Sequence, residues 1–341
     1  MPDAIEYFQL AVPLPGETVE VAPGVRWLRM PLPFQLNHIN LWLLEDGPGW
    51  ALVDTGLFDQ TTVALWETIL ETELQGRPIT RVLCTHYHPD HVGMAGWLCD
   101  RLNVGLWMTE REWLWGRSWS LDTDPAVYDH QSAFLHTAGC SPDLLAAAHR
   151  DSPRYHTLVS PIPRAFTRLR DGGTVSIGGR AWEIVVGTGH APEHACLFCR
   201  ELDLLISGDQ VLPKITPIVG VEINEPDANP LADFLDSIEK LRALPDSIDI
   251  LPSHNTPFNG LHGRLDELRQ HHDDRLAQFQ DACKRPMTAK ELSDAIFTRV
   301  LDSQNAIFAI GETVAHLNYL CRHGSIVRET QDNGVHLYVP S

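Results

Sequence analysis

The sequence predicts a layered α/β fold, and three observations support this. Short apolar segments typical of buried strands alternate with amphipathic segments typical of helices, in the order β-β-α-β-α over residues 40–102. Strand patterns then return after a long interval without them. At 341 residues the chain is long enough for one large and one small unit, which we expect at residues 1–270 and 271–341.

The first half of the large unit is built from short strands and two helices. Residues 25–55 contain three apolar strands, VRWLRMPLP, NLWLLED and WALVDTG, and the last two are joined by the turn GPG at Gly47–Gly49. Residues 60–75 carry apolar positions at helical spacing after a threonine cap. The segment ITRVLCTH predicts a short buried strand, and VGMAGWLCDRL predicts the helix after it.

Residues 107–165 predict a helical insertion, because they contain several tryptophans, helical patches and proline breaks but no strand alternation. Strands return in GTVSIGGRAWEIVVGTG, HACLFCREL and DLLISGD, followed by the amphipathic helix LADFLDSIEKLRAL and the strand IDILPSH. The long helix GRLDELRQHHDDRLAQFQDACK leads into the small unit. From about Met287 we expect three helices and then a hairpin, GSIVRETQDNGVHLYV, with its turn at residues 332–334.

Composition narrows the classes of partner and compartment. The net charge of -19 argues against general affinity for nucleic acid, which is itself polyanionic. No run of 18 apolar residues occurs, so we expect no membrane span. The segment MPDAIEYFQLAVPLPGE lacks a basic region followed by an apolar one, so we expect no signal peptide. Seven scattered cysteines fit a reducing, cytoplasmic compartment, and Cys196 and Cys199 would face opposite sides of a strand.

Metal-ligating residue types are concentrated in CTHYHPDHVGMAG. His86 and His88 are two apart after a strand, so their side chains leave on the same side, and Asp90 and His91 follow at the turn into a helix. Three more candidates each come directly after a later apolar strand, where α/β sheets present functional groups: His190, Asp209 and His254. Imidazoles and carboxylates together suit a borderline divalent metal. Five histidines and two aspartates on one rim are enough for two metals.

With THYHPDH at residues 85–91, the chain resembles the metallo-β-lactamase-fold hydrolases. The motifs VDTG, GTGHAPEH, SGD and PSH match that family's other motifs, and the match spans roughly residues 20–265. The resemblance implies an αββα sandwich, with residues 1–270 as the catalytic domain and the helical insertion at about 107–165. The tail, 271–341, resembles the winged-helix module of an endoribonuclease-like branch of the superfamily.

The same resemblance assigns roles to individual residues of a dinuclear site. Metal one would be held by His86, His88 and His190, and metal two by Asp90, His91 and His254, with Asp209 bridging the two. Asp54 matches an acid near the site that hydrogen-bonds a ligand, and His194 matches a histidine beside the ligands, for which a solvated loop position is an equal alternative. In relatives a pair such as His271 or His272 with Arg275 lies near the pocket, but a solvated helix face fits this pattern better.

Two divalent ions can share a water molecule and lower its pKa towards neutrality, which makes hydroxide available to attack a carbonyl or phosphorus. Asp90 could orient this nucleophile and pass a proton to the leaving group, so Asp90 and Asp209 are the candidate catalytic carboxylates. Zinc is the default metal for a site rich in histidine, and the two carboxylates also suit iron or manganese.

Three activities compete for this site. The first is hydrolysis of an ester-like, thioester or lactone bond in a small acyl-type substrate, with a lid of tryptophans from the insertion: Trp107, Trp113, Trp115 and Trp119. For any single tryptophan, packing of the insertion onto the sandwich is the better-supported role, and the two roles are compatible. The second is a phosphodiesterase or ribonuclease, which the resemblance of the tail to a winged-helix module favours. The third is a mononuclear iron enzyme that oxidises sulfur compounds on the same ligands.

The balance of charges favours the first activity. Residues 283–341 contain six basic and six acidic side chains, which is a poor electrostatic footprint for nucleic acid. We therefore expect the tail to act as an interface, for instance of a homodimer, or as a pocket wall. A dinuclear metallohydrolase acting on ester-like or thioester bonds is the function that the sequence predicts.

Overall fold

The computed structural model describes residues 5–151, 154–298 and 302–341. Residues 1–4, which begin the segment expected to carry no signal peptide, lie outside the described residues. Two compact units are distinguished. The first comprises residues up to 122 together with 154–217 and 240–265, and the second comprises residues 123–153, 218–239 and 266–341, apart from those not described. No helix in the described part of the chain is long and apolar enough to cross a membrane.

The first sheet of the first unit has seven strands, which lie side by side in chain order. They are β2 (Thr18–Ala22), β3 (Val25–Pro31), β4 (His38–Asp46), β5 (Gly49–Val53), β6 (Ile79–Leu83), β7 (Leu106–Met108) and β8 (Phe166–Arg168). The strands from β2 to β5 pair antiparallel, and those from β5 to β8 pair parallel. The three apolar strands predicted for residues 25–55 are confirmed as β3, β4 and β5.

The second sheet of the first unit also has seven strands. They are β1 (Glu6–Tyr7), β9 (Thr174–Ile177), β10 (Arg180–Gly187), β11 (His194–Cys199), β12 (Leu204–Gly208), β13 (Asp249–Pro252) and β14 (Phe258–Asn259). Their order across the sheet is β1-β14-β13-β12-β11-β10-β9, and β12 and β13 form its parallel pair.

Alternation along β4 explains how both faces of the first sheet are covered. Trp42 and Leu44 point into an apolar cluster that also contains Trp182 and Ile206 of the second sheet. The intervening residues, such as Leu43, point to the other face, against helices of the same unit. Two sheets are therefore packed face to face and flanked by helices, which confirms the predicted sandwich.

The helices of the first unit are α1 (Gln60–Thr72), α2 (Pro89–Val92), α3 (Ala95–Leu102), α4 (Glu110–Leu121) and α7 (Tyr155–Leu158). The predicted threonine cap of α1 is wrong, because the side chain of Asp59 accepts the hydrogen bond from the backbone N–H of Thr62. The single helix predicted after Asp90 is divided into α2 and α3. Gly93 lies at the break, where a Cβ would stand 2.6 Å from the carbonyl oxygen of Gly56, so the chain passes too close there for a side chain.

The second unit contains α5 (Ala126–Thr137), α6 (Pro142–Asp151), α10 (Ala289–Ile296), α11 (Ser303–Arg322) and the hairpin of β15 (Ile326–Thr330) and β16 (His336–Pro340). Two further helices, α8 (Pro230–Leu241) and α9 (Leu261–Ala282), have residues in both units. The tail expected to hold three helices after Met287 shows two among the described residues, α10 and α11, before the predicted hairpin.

The bounds of the units differ from the expected division at residue 270. The predicted insertion is helical, from α4 to α7, although its first residues belong to β7. Its central part belongs to the second unit, where the backbone N–H of Lys290 donates to the carbonyl of Ala138 and Gly139 packs against Thr288. These contacts join segments about 150 residues apart in the chain, and no local sequence pattern predicts them.

Candidate metal centre

The predicted ligands lie in loops at the ends of strands in both sheets of the first unit. The loop after β6 carries His86, His88, Asp90 and His91. In the second sheet, three segments follow β10, β12 and β13 and carry the remaining candidates: His190, Asp209 and His254. The parallel pairs β5/β6 and β12/β13 end at these loops, as expected for functional groups in α/β sheets.

Three histidines make up the first group, which we call the histidine group. Nε2 of His86 lies 2.8 Å from Nδ1 of His88 and 3.3 Å from Nε2 of His190. One ring nitrogen from each residue lies within 4.8 Å of the others, so the three could hold one metal ion.

The second group combines one carboxylate with two imidazoles, and we call it the mixed group: Asp90, His91 and His254. Oδ2 of Asp90 lies 3.6 Å from Nε2 of His91 and 3.5 Å from Nε2 of His254. These three residues could hold a second ion.

Asp209 lies between the two groups. Its Oδ1 is 3.3 Å from Nε2 of His254 and 3.6 Å from Nε2 of His91, while its Oδ2 is 3.6 Å from Nε2 of His190. One oxygen therefore faces the mixed group and the other faces the histidine group.

Two buried atoms test whether a cation fits. Nε2 of His91 and Oδ1 of Asp209 are buried and make no hydrogen bond within the described part of the chain. Leaving such atoms without a partner costs about 1–3 kcal/mol each. A divalent cation bound between them would use both lone pairs, and imidazole with carboxylate is a donor set that suits such an ion.

The pKa values of His86 and His88 shift in the opposite direction from those of His91 and His254. Burial, together with neighbouring imidazoles, holds the pKa values of His86 and His88 well below the usual histidine value. Burial also acts to lower the pKa values of His91 and His254, but the carboxylates around them outweigh it and raise both. Burial would raise the pKa of Asp209, yet the imidazoles of His254 and His91 hold it well below its usual value. An entering cation would therefore displace protons from the mixed group.

Asp54 orients the loop that carries the first four candidate ligands. It is fully buried with φ of 60° and accepts hydrogen bonds from the backbone N–H of Thr85 at 2.8 Å and from Nδ1–H of His91 at 2.9 Å. The hydroxyl of Thr85 also donates to Asp54 and lies 3.0 Å from Nδ1 of His86. Both imidazoles are thus turned so that Nε2 faces the centre.

His194 supports the opposite side of the centre. It is fully buried at the start of β11, and its Nε2 accepts a hydrogen bond from the backbone N–H of Asp209 at 3.0 Å. The alternative of a solvated loop histidine is therefore wrong. His254 is held by its own contact, because its Nδ1–H donates to the carbonyl of His38 at 2.8 Å.

The sequence analysis missed two buried polar side chains that hydrogen-bond the backbone of these loops, those of Glu112 and Asn40. Glu112 on α4 is fully buried and accepts hydrogen bonds from the backbone N–H groups of Tyr87 and Glu193. The only local signal was the spacing Thr109-x-x-Glu112, which is typical of a capping box at a helix start. Asn40, a polar residue within the apolar strand β4, donates to the carbonyls of Pro252 and Asn255 on either side of His254.

The tryptophans of the predicted lid are partly buried and pack onto the sandwich, as the alternative interpretation expected. Trp113, Trp115 and Trp119 lie against the outer apolar cluster of the first sheet, and Trp107 lies against the cluster between the sheets. The ring of Trp115 is 5.6 Å from that of Tyr87, which is 4.8 Å from the ring of His88. An aromatic layer thus begins directly beside the histidine group.

The prediction of a solvated helix face for the His271, His272 and Arg275 set is wrong for His272. His272 is 1% exposed within the second unit, and its Nδ1 lies 3.2 Å from Nε2 of His316. Helical periodicity alone did not identify the second helix, α11, that covers it.

Comparison with known proteins agrees with this geometry. The model of the metallo-beta-lactamase superfamily matches residues 35–254, and that of the metallo-beta-lactamase-like C-terminal domain matches residues 276–341. The chain is similar to the probable metallo-hydrolase YqjP of Bacillus subtilis (strain 168), with 24% identity over 91% of this chain and 96% of that one.

Solved structures give the same result. A beta-lactamase domain protein from Burkholderia ambifaria is 43% identical, with a TM-score of 0.92 over 99% of this chain and 98% of that one. A metallo-beta-lactamase family protein from Thermus thermophilus is 29% identical, with a TM-score of 0.80 over 94% of this chain and 100% of that one. Sandwich, ligand loops and small C-terminal domain together establish that the chain belongs to the metallo-beta-lactamase superfamily and is a metal-dependent hydrolase.

Proposed function

We propose that the chain is a dinuclear metallohydrolase that cleaves an ester-like, thioester or lactone bond in a small acyl-type substrate. The observation that carries the proposal is the position of Asp209, whose two oxygens face two separate groups of ligand atoms. A single ion would need only one of these groups. The histidine group would hold one metal and the mixed group the other.

Divalent ions in these positions, for which we propose zinc, would supply a water molecule of lowered pKa and positive charge for the developing oxyanion. Asp90 is the more exposed of the two central carboxylates, with its side chain 20% exposed against 10% for Asp209. It is therefore placed to exchange a proton with the substrate, whereas Asp209 serves to hold the two groups at a fixed spacing.

Aromatic side chains beside the histidine group support an acyl substrate. Tyr87 and Trp115 provide an apolar surface next to His88, and such surfaces suit acyl or aromatic groups. The net charge of -19 makes an extended polyanion a poor substrate, which favours this activity over that of a ribonuclease.

The remaining parts of the proposal concern the surroundings of the enzyme. All seven cysteines are free thiols, which supports a cytoplasmic location. We also propose that the C-terminal module, whose described residues form α10, α11 and a hairpin, is a winged helix that acts as an interface, for instance of a homodimer.

Metal analysis followed by a substrate panel tests this function. The purified protein is dialysed, its metal content per chain is measured by mass spectrometry, and thioester, lactone, β-lactam and bis-p-nitrophenyl phosphate substrates are compared. We expect two divalent ions per chain and turnover of a thioester or lactone. One iron per chain with oxidation of a sulfur compound, or turnover of the phosphodiester alone, would overturn the proposal.

A further inference from the structure

The start of α4 holds both loops that carry the histidine group. Glu112 is fully buried, and its Oε2 accepts a hydrogen bond from the backbone N–H of Tyr87 at 2.9 Å. Tyr87 is the residue between His86 and His88. The other oxygen, Oε1, accepts from the backbone N–H of Glu193 at 2.6 Å, in the segment between His190 and His194. One carboxylate therefore joins the two loops.

Two more contacts attach the same helix end to Glu193. The hydroxyl of Thr109 donates to the carbonyl of Glu193 at 2.7 Å, and the backbone N–H of Arg111 donates to its carboxylate at 3.0 Å. Glu193 is thus bound through its N–H, its carbonyl and its side chain. A residue held at three points has little freedom to move relative to α4.

These contacts replace the ones that the local sequence predicts. In a capping box, the threonine side chain would accept from the N–H of Glu112 and the glutamate would return to the N–H of Thr109. Neither bond is found among the described residues. The side chains of Thr109 and Glu112 instead bind the loops that carry the candidate ligands. The helix thus lacks the local stabilisation of a capping box, and the same two side chains hold distant segments instead.

Packing one turn further along α4 fixes the same loop. A Cβ on Gly116 would stand 3.3 Å from Cβ of Tyr87 and 3.2 Å from the hydroxyl of Tyr155. That hydroxyl donates to the carbonyl of Tyr87 at 2.5 Å. Both polar groups of the Tyr87 backbone are therefore bonded, the N–H to Glu112 and the carbonyl to Tyr155.

We propose that Glu112 is a positioning residue that sets the distance between the His86–His88 loop and the His190–His194 loop, and thereby the geometry of the histidine group. It touches neither substrate nor metal. The proposal rests on the metal centre described above but not on the choice of substrate.

Cobalt binding to the full chain tests this role independently of catalysis, because the visible absorption of bound cobalt reports its coordination. Metal-free wild-type protein, Glu112→Gln and the control Glu110→Gln are titrated with Co²⁺ against a competing chelator. Glutamine keeps the shape of Glu112 but offers one acceptor oxygen where two N–H groups donate. Glu110 lies on the same helix with its side chain 47% exposed, so the control changes charge without touching the loops.

We expect Glu112→Gln to lower the affinity for one of two cobalt equivalents by about 10- to 100-fold and to alter its absorption, with the other equivalent unchanged. The control should match the wild-type protein. Unchanged affinity and absorption in Glu112→Gln, or equal weakening of both equivalents together with lower thermal stability, would overturn the proposal. Absence of cobalt binding by the wild-type protein would overturn the metal centre as well.

A second variant keeps the test decisive if Glu112→Gln does not fold. Thr109→Val has nearly the same shape and removes only the hydrogen bond to the carbonyl of Glu193. It should weaken the same cobalt equivalent several-fold. Wild-type binding by Thr109→Val, with Glu112→Gln unfolded, would show that the helix end supports the fold alone and would overturn the assignment.

Discussion

Replacing Asp54 by asparagine should weaken metal binding without removing a single ligand. Asp54 accepts hydrogen bonds from the N–H of Thr85 through Oδ1 and from Nδ1–H of His91 through Oδ2. Asparagine can accept only through one of these positions and presents an NH₂ group at the other. Whichever way the amide is turned, one of the two donors faces another donor.

The size of the loss in metal affinity depends on how His91 and Thr85 respond to the substitution. If the NH₂ group faces His91, the imidazole must move its proton from Nδ1 to Nε2, and Nε2 is the atom that faces Asp90 and Asp209. If the amide turns the other way, the N–H of Thr85 loses its partner in a fully buried position. A hydrogen bond to a charged group contributes about 1.5–3 kcal/mol, so metal affinity should fall roughly 10- to 100-fold.

Competition between the protein and a chromogenic zinc chelator measures this effect. The matched control is Asp59→Asn, because asparagine caps a helix about as well as aspartate and Asp59 caps α1. We expect wild-type affinity in the control and reduced affinity in Asp54→Asn. Equal zinc affinity in Asp54→Asn and the wild-type protein would refute the claim that this carboxylate sets the tautomer of His91.

Three further predictions follow from other parts of the molecule. Asp209→Ala should lose bound metal and hydrolytic activity together, whereas Cys199→Ser, in the apolar cluster between the sheets, should keep both; metal content and turnover of each purified variant decide. Gly208→Ala should be destabilised by at least about 1 kcal/mol, because φ is 54° and the new Cβ would stand 2.4 Å from Cε1 of His194; a wild-type melting temperature would contradict this. Burial raises the pKa of Glu312 to about 7 from 4.5, so the folded chain keeps a proton there that the unfolded chain releases, and stability falls as the pH rises between those values. Glu312→Gln should therefore be more stable than wild type at pH 8, by at most about 3 kcal/mol, and equal to it near pH 4.5; urea unfolding with no such pH-dependent gain would exclude a buried protonated carboxyl.

The candidate ligand set, which the structure brings together, could be predicted from the sequence because its signals are local. The spacing in THYHPDH and the position of His190, Asp209 and His254 after apolar strands depend only on neighbouring residues. The strands could be predicted for the same reason, because alternation and apolar runs reflect burial of a strand on one or both faces.

Features that depend on long-range contacts were not predictable in this way. Thr109 and Glu112 have the spacing of a capping box, and only the fold shows that both bind segments elsewhere in the chain. His272 has the periodicity of a polar helix face, yet α11 buries it. The grouping of residues 123–153 with the C-terminal part arises from backbone bonds such as that between Lys290 and Ala138.

The attachment of α4 to the ligand loops has a consequence for engineering. Helical segments at the edge of a catalytic fold are natural targets for grafting when a new substrate preference is wanted. Here the helix that brings Trp113 and Trp115 to the sandwich also carries Thr109 and Glu112. We therefore expect a transplanted segment that lacks those two residues to change the aromatic surface and to loosen both loops in the same step, whereas a graft that keeps Thr109 and Glu112 should change the aromatic surface alone.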